Sequence, residues 1–498
     1  MKRQSILPKN RQLKGNRIMV FSTSIFIYLF LPITLLIYYI TPKKGKNLII
    51  LLSGLLFYSW GEPIYVIVML ISTMIDYCAG LVMNRFEGKK LPRRICLIVS
   101  VVMNLGLLGI FKYSGFIAEN INAIAGSQLI DINNMNFFGI DFLPMNMLPI
   151  GISFFTFQSM SYTIDLYMGN VKVQKNPISF AAFVTLFPQI VAGPIVRYDD
   201  VAKELDDRTI TIDLIYDGIV RFIIGLSKKV LIANSIGALW TAVKGTDISQ
   251  VSVVSSWLGI LAFTFQIYFD FSGYSDMAIG LGKMMGFHFP ENFDYPYLSK
   301  SISEFWRRWH ITLGAWFKSY VYIPLGGNRK GMPRTILNLA ITWFLTGVWH
   351  GASWNFILWG SLYGVVIILE KLFLGKWLQK IPAAFCRIYT MLLVILGWVL
   401  FDTADLPTAG AYIANMFGAG GTPFIDSTAM YQIATYGITF IICIIGCTNL
   451  PKLAVEFIKK KLPPVVNYGG IAVLMGMFVL CAAYLVDQTY NPFLYFNF

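Results

Sequence analysis

The chain has 498 residues, of which 56% are hydrophobic and only 13% charged, with a mean hydropathy of +0.62. Soluble domains carry roughly 25% charged residues, so this composition excludes a soluble globular enzyme and also a disordered or fibrous chain. The formal net charge of +14, from 40 basic and 26 acidic residues, belongs in loops that face the cytoplasm and anionic lipid, and no nucleic-acid partner is expected.

Long uncharged runs mark an all-α integral membrane protein, inserted as a multi-pass protein of the cell membrane. The first run is Ile18–Pro42. Two pieces follow, Leu48–Trp60 and Ile64–Ile75, joined by the turn residues Gly61, Glu62 and Pro63, which predicts a hairpin. Ile95–Phe111 comes next, then a polar loop near 117–141. Later runs are Phe142–Ile164, Val230–Val243, Ile248–Phe269, Ile388–Phe401, Ser427–Pro451 and Pro463–Val486. Counting them at ~20 residues per span gives about ten to twelve transmembrane helices. The run 176–196 is uncharged but holds Pro177, Pro188, Gly193 and Pro194. It reads as a re-entrant or broken segment, buried so that its freed backbone groups find partners.

Lys43, Lys44 and Lys46 precede the hairpin, and Arg85, Lys89, Lys90, Arg93 and Arg94 follow it. Both clusters belong on the cytoplasmic side, which puts the N-terminus outside. Residues 1–18 contain six basic residues and no acid, which argues the opposite. Either translation starts at Met19 or the first segment does not fully cross. We therefore divide the chain into a basic extension, 1–18, and one membrane domain, 19–498. None of the six cysteines forms a C-x-x-C pair. They read as small buried apolar residues, with no disulfide framework and no metal site.

Only three histidines are present. His350 lies in 335–369, a run free of Asp, Glu, Lys and Arg. One straight helix of that length would measure about 52 Å, far more than the ~30 Å hydrocarbon core. A break is expected at Gly347–Gly351, which places His350 at an interrupted helix inside the membrane. An ionisable residue there is a functional-site hypothesis; the alternative is a core histidine bonded to a freed carbonyl. The stretch Ser301–His310 reads as an amphipathic interfacial helix, with Trp306, Trp309 and His310 on one face. Arg307, Arg308, Lys318 and Arg329 either anchor it to lipid headgroups or hold an anionic donor. Asp270 and Asp276 either line a polar cavity or bind a cation, or they mark the membrane boundary and cap the next helix. His288 reads as a structural loop residue.

No Walker A, G-x-S-x-G, H-E-x-x-H or dinucleotide motif occurs, which argues against an ATP-driven pump or a serine hydrolase. Acyl transfer by a histidine base is left open.

Taken together, Phe269–Asp276 (FDFSGYSD), Asn292–Tyr295 (NFDY), Phe305–Leu313 (FWRRWHITL), Tyr322–Lys330 (YIPLGGNRK) and Trp349–Phe356 (WHGASWNF) resemble the membrane-bound O-acyltransferase superfamily, in particular its alginate O-acetyltransferase type. Phe187–Tyr198 and Pro492–Phe498 are similar too, and the likeness runs from about Met19 to the C-terminus. The resemblance implies a ring-like bundle of helices around a tunnel, with His350 catalytic and His310 assisting. It implies no permanently bound cofactor. The donor would be acetyl-CoA or another activated acetyl group from the cytoplasm. The acetyl would reach an extracytoplasmic polysaccharide, often through a partner acetyltransferase, while membrane lipid surrounds the protein. The alternatives are D-alanine transfer to teichoic acid, peptidoglycan O-acetylation, and a polysaccharide or lipid transporter without acyl-transfer chemistry.

Overall fold

The computed structural model describes residues 19–131, 148–191, 193–487 and 494. The extension 1–18 and all of the C-terminal motif 492–498 except Leu494 lie outside them. Among the described residues there is no β-strand, only one isolated bridge between Phe293 and Trp309, so the all-α class holds.

Among the described residues, seven helices are long and apolar enough to cross a membrane: Val66–Arg85, Lys90–Ala125, Ile212–Lys244, Val253–Met284, Trp354–Leu378, Ala383–Asp402 and Ser427–Gly446. Phe26–Ile40 and Gly470–Val486 are shorter apolar helices. Individual segments differ in extent from the sequence expectation for local reasons. The predicted hairpin forms, but its first arm, Lys46–Gly61, has only 16 residues. The run Phe142–Ile164 begins outside the described residues, and its helix is Ile152–Met168. Where a polar loop was expected near 117, the preceding helix continues to Ala125. The spans keep large side chains exposed, such as Ile438 at 75% and Val102 at 62%; such a surface suits lipid, which an apolar side chain contacts at no cost.

The described residues fall into two compact units, one within Met1–Ile219, Gly280–Phe289 and Leu485–Pro492, the other within Val220–Ile279, Pro290–Tyr484 and Phe493–Phe498. In the first, Phe26, Phe30, Phe57 and Phe187 pack ring against ring, with centroids 5.3–6.2 Å apart. The proline-rich run is broken as expected, into Pro177–Val184 and Phe187–Ile190. Asn176 caps the first piece by accepting from the N–H of Ile178. At the break, the side-chain amides of Gln158 and Gln189 both donate to the Phe183 carbonyl at 2.8 Å, which supplies partners that the interrupted helix cannot.

The second unit is built on aromatic residues, with Trp359, Trp398 and Tyr363 fully buried. Here Val253–Met284 is one continuous helix, so Asp270 and Asp276 do not cap a following helix. Both are buried and paired. Lys229 bonds Asp270, while Lys228 and Arg221 each lie 2.7 Å from Asp276. Neighbouring residues of an α-helix point about 100° apart; a π-helical turn at Lys228–Ala233 changes that spacing where Lys228 and Lys229 serve different acids. Gly225 and Gly273 permit the close approach: a Cβ on Gly225 would lie 2.5 Å from the Gly273 carbonyl oxygen. Of the six cysteines, Cys386, Cys443, Cys447 and Cys481 are buried, Cys96 is half-buried and Cys78 is exposed. Cys78 and Cys96 thus correct the expectation that all are buried.

Candidate active site

The expected break occurs immediately after His350. The helix Gly331–His350 ends there, Gly351 is extended, and a new helix runs from Trp354. The second helix folds back on the first because Gly347 and Gly360 meet without side chains; a Cβ on Gly360 would lie 2.6 Å from the Gly347 Cα. Asn355 holds the turn by donating to the Thr403 carbonyl at 2.9 Å. His350 is therefore the last residue of a helix, with 7% of its surface exposed. Three rings meet its imidazole edge to face: Trp359 at 4.8 Å, Trp349 at 4.9 Å and Phe401 at 5.4 Å between centroids.

His310 is housed differently, and here the expected helix face does not form. The helix Ile302–Arg308 stops before Trp309, which is extended, and His310 adopts a left-handed backbone with φ 46°. Trp306, Trp309 and His310 consequently do not share a helical face. The helix is also no floating anchor, since Ile302 and Phe305 are fully buried and Trp306 packs on Trp343, Trp359 and Tyr363. What ends it is the segment Asn292–Asp294. The Asp294 N–H donates to the Arg308 carbonyl at 3.0 Å and the Ile311 N–H to the Asn292 carbonyl at 3.0 Å. A non-glycine residue with positive φ is strained by about 1–3 kcal/mol and persists when its surroundings over-determine it; the Asn292 clamp does so here.

The same asparagine fixes the ring. Its Oδ1 accepts from the Thr312 N–H at 3.3 Å, an unambiguous donor, and lies 3.1 Å from His310 Nδ1. Nδ1 therefore carries the proton and the Nε2 lone pair becomes the basic one. Burial pushes the imidazole from its ordinary 6.5 down to about 3, because a charged ring is poorly solvated there. Both histidines border one indole: Trp349 lies 6.2 Å from the His310 ring and 4.9 Å from that of His350. His310 is 2% exposed, so water is largely kept from it.

The basic residues are less concentrated than the sequence suggested. Arg308 pairs with Glu304 at 3.0 Å and Asp294 at 3.2 Å. It lines a cavity of about 490 Å³ together with Lys300, Arg387 and Lys452. Arg307, Lys318 and Arg329 are exposed and are not among its lining residues. His288 bonds Glu204 at 2.6 Å in the first unit, in keeping with a structural role.

Sequence reasoning missed two positioning residues. Asn292 was visible within the NFDY motif, yet nothing local ties it to a histidine 18 positions later. Glu370 closes the 335–369 uncharged run, and its carboxylate accepts from the N–H groups of Ile302 and Ser303 at 2.7 and 2.8 Å. That anchors the start of the helix leading to His310, where a carboxylate also suits the helix dipole. Among the described residues no His, Cys, Asp and Glu cluster is arranged to hold a metal ion.

A family model for membrane-bound O-acyltransferases matches residues 154–403, a stretch containing both histidines. The chain is 39% identical to a probable alginate O-acetylase of Pseudomonas putida, over 96% of this chain and all of that protein. It is 33% identical to a peptidoglycan O-acetyltransferase of Helicobacter pylori, with 81% of each covered. Similarity to a teichoic acid D-alanyltransferase of Bacillus subtilis is 30% and spans only 48% of this chain and 62% of that one. A transporter without chemistry is thereby set aside: the chain belongs to the membrane-bound O-acyltransferase family and is a multi-pass membrane O-acyltransferase.

Proposed function

We propose that the protein moves an acetyl group from a cytoplasmic thioester, acetyl-CoA or an equivalent donor, across the membrane for O-acetylation of an extracytoplasmic polysaccharide, through a partner acetyltransferase. The observation that carries the reading is the pair of buried imidazoles set against Trp349, in a chain similar along nearly its whole length to an alginate O-acetylase. In the proposed step His350 accepts the hydroxyl proton of the acceptor while its oxygen attacks the thioester carbonyl. The tetrahedral adduct collapses, the C–S bond breaks, and the thiolate leaves and regains the proton from His350. The products are an ester and a thiol. His310, neutral and aimed through Asn292, assists by hydrogen bonding through Nε2. Exclusion of water prevents hydrolysis of the thioester.

Arg307, Arg308, Lys318 and Arg329 hold the donor's phosphates in this reading; Arg308 alone of the four lines the cavity, with Lys300, Arg387 and Lys452 and with the carboxylates of Asp294, Glu304 and Glu456. D-alanine transfer is the weaker reading, since the similarity that suggests it covers under half of the chain. Purified protein in liposomes, supplied with labelled acetyl-CoA, an outer polysaccharide and the partner, tests the proposal. Acetylation is expected from the native protein and not from a folded His350→Ala variant. Normal acetylation by that variant would overturn it, and transfer only from a D-alanyl carrier would replace the donor.

A further inference from the structure

A separate polar cluster lies in the first unit, which contains neither candidate catalytic histidine. Asp76 is the sole charged residue between Glu62 and Arg85 and sits within the span Val66–Arg85 with no exposed surface. Three helices direct oxygen-bearing side chains to it: Ser72 from its own, Ser100 and Asn104 from Lys90–Ala125, and Ser159 and Thr163 from Ile152–Met168.

The hydrogen bonds favour an ionised carboxylate. Asp76 Oδ1 accepts from the Ser100 hydroxyl and, at 3.0 Å, from the Asn104 amide. Donors converging on one oxygen stabilise the negative form. Oδ2 has no hydrogen-bond partner among the described residues, so a proton placed there would be a buried donor without an acceptor, at about 1–3 kcal/mol. Thr163 Oγ1 stands 3.4 Å from Asp76 Oδ1, but its hydrogen has a nearer acceptor in the Met160 carbonyl at 3.0 Å. Turned toward Met160, the hydroxyl offers lone pairs to a cation beside the Asp76 carboxylate; turned the other way, it donates to Asp76 Oδ1.

Other charged side chains on these helices have partners of their own. Arg93 donates to the Leu166 carbonyl at 2.7 Å, Lys112 to Ser153 at 3.0 Å, and Asp165 accepts from Asn170 at 3.0 Å. Among the described residues no basic side chain forms an ion pair with Asp76. A charge with no ion-pair partner inside a membrane helix is expensive, and the ligands on offer are hard oxygens, which suit a hard, oxygen-seeking cation.

We propose that Asp76, with Ser72, Ser100, Asn104, Ser159 and Thr163, forms a binding site for a sodium ion that ties the three helices together. Thermal unfolding of the purified full chain in detergent at pH 8, in sodium chloride against choline chloride at equal ionic strength, tests it. The midpoint is expected to rise saturably by a few degrees with sodium, as for any ligand that binds only the folded state. Asp76→Asn should abolish the rise. Should that variant fail to fold, Thr163→Val is expected to raise the half-saturating sodium concentration at least tenfold. A native midpoint identical in the two salts would overturn the site without recourse to any variant. A sodium effect that survives Asp76→Asn in full would overturn it equally.

Discussion

His350 and His310 are buried in the same compact unit yet are held by opposite means. His350 is the end of a 20-residue helix, and aromatic rings confine it by shape. His310 sits on a strained turn, and its Nδ1–H bond to the Asn292 oxygen confines it by direction. Three rings set the plane of the His350 imidazole, whereas an amide oxygen at Nδ1 commits the tautomer of His310. In the proposed reaction the caged ring is given the proton-transferring role and the clamped ring the assisting one.

Replacing the caged ring should have the largest effect. His350→Ala is expected to lower acyl transfer about 10²–10⁴-fold, the usual worth of a positioned acid–base group, while the intrinsic fluorescence and elution volume remain native. Equal losses from both histidine variants would erase the division of roles. For His310→Ala the expected loss is smaller, about 10–10²-fold, measured as initial rate at saturating donor. Asn292→Ala should cost about tenfold in kcat with little change in donor KM, as expected for a partner that orients a catalytic group. Asn292→Asp, which keeps the acceptor oxygen, should restore part of that loss. A KM effect instead would make Asn292 part of the donor site.

The smallest effect is on pH dependence. The folded protein holds His310 near 3, against 6.5 in the unfolded chain. Between those values the unfolded chain binds one more proton, so stability falls with acidification, by about 1.4 kcal/mol per pH unit at most. This contribution is fully present above pH 6.5 and is lost progressively toward pH 3. His310→Gln should flatten that part of a stability–pH profile measured by chemical denaturation. Because the ring stays neutral down to about 3, any loss of activity between pH 5 and 7 should persist in the Gln variant.

Composition and apolar runs determined the membrane class, and the length of the 335–369 run together with its two glycines determined the break at His350. These are legible because lipid imposes a length and a polarity on every crossing segment. The four breakers in 176–196 likewise foretold a broken, buried piece. Local pattern failed where long-range partners overrode it. Helical spacing put Trp306, Trp309 and His310 on one face, but backbone pairing with 292–294 unwound that helix first. Apolar counting ended a span at Phe269, but Lys229, Lys228 and Arg221 neutralise the acids beyond it and let the helix continue. Asp76 drew no notice in the sequence, since its partners lie 24 to 87 positions away. The sequence by itself decided which stretches enter the membrane, through local hydrophobicity. Only the tertiary structure decided which buried charges are paired and which imidazole nitrogen is basic, since both depend on groups brought together by folding.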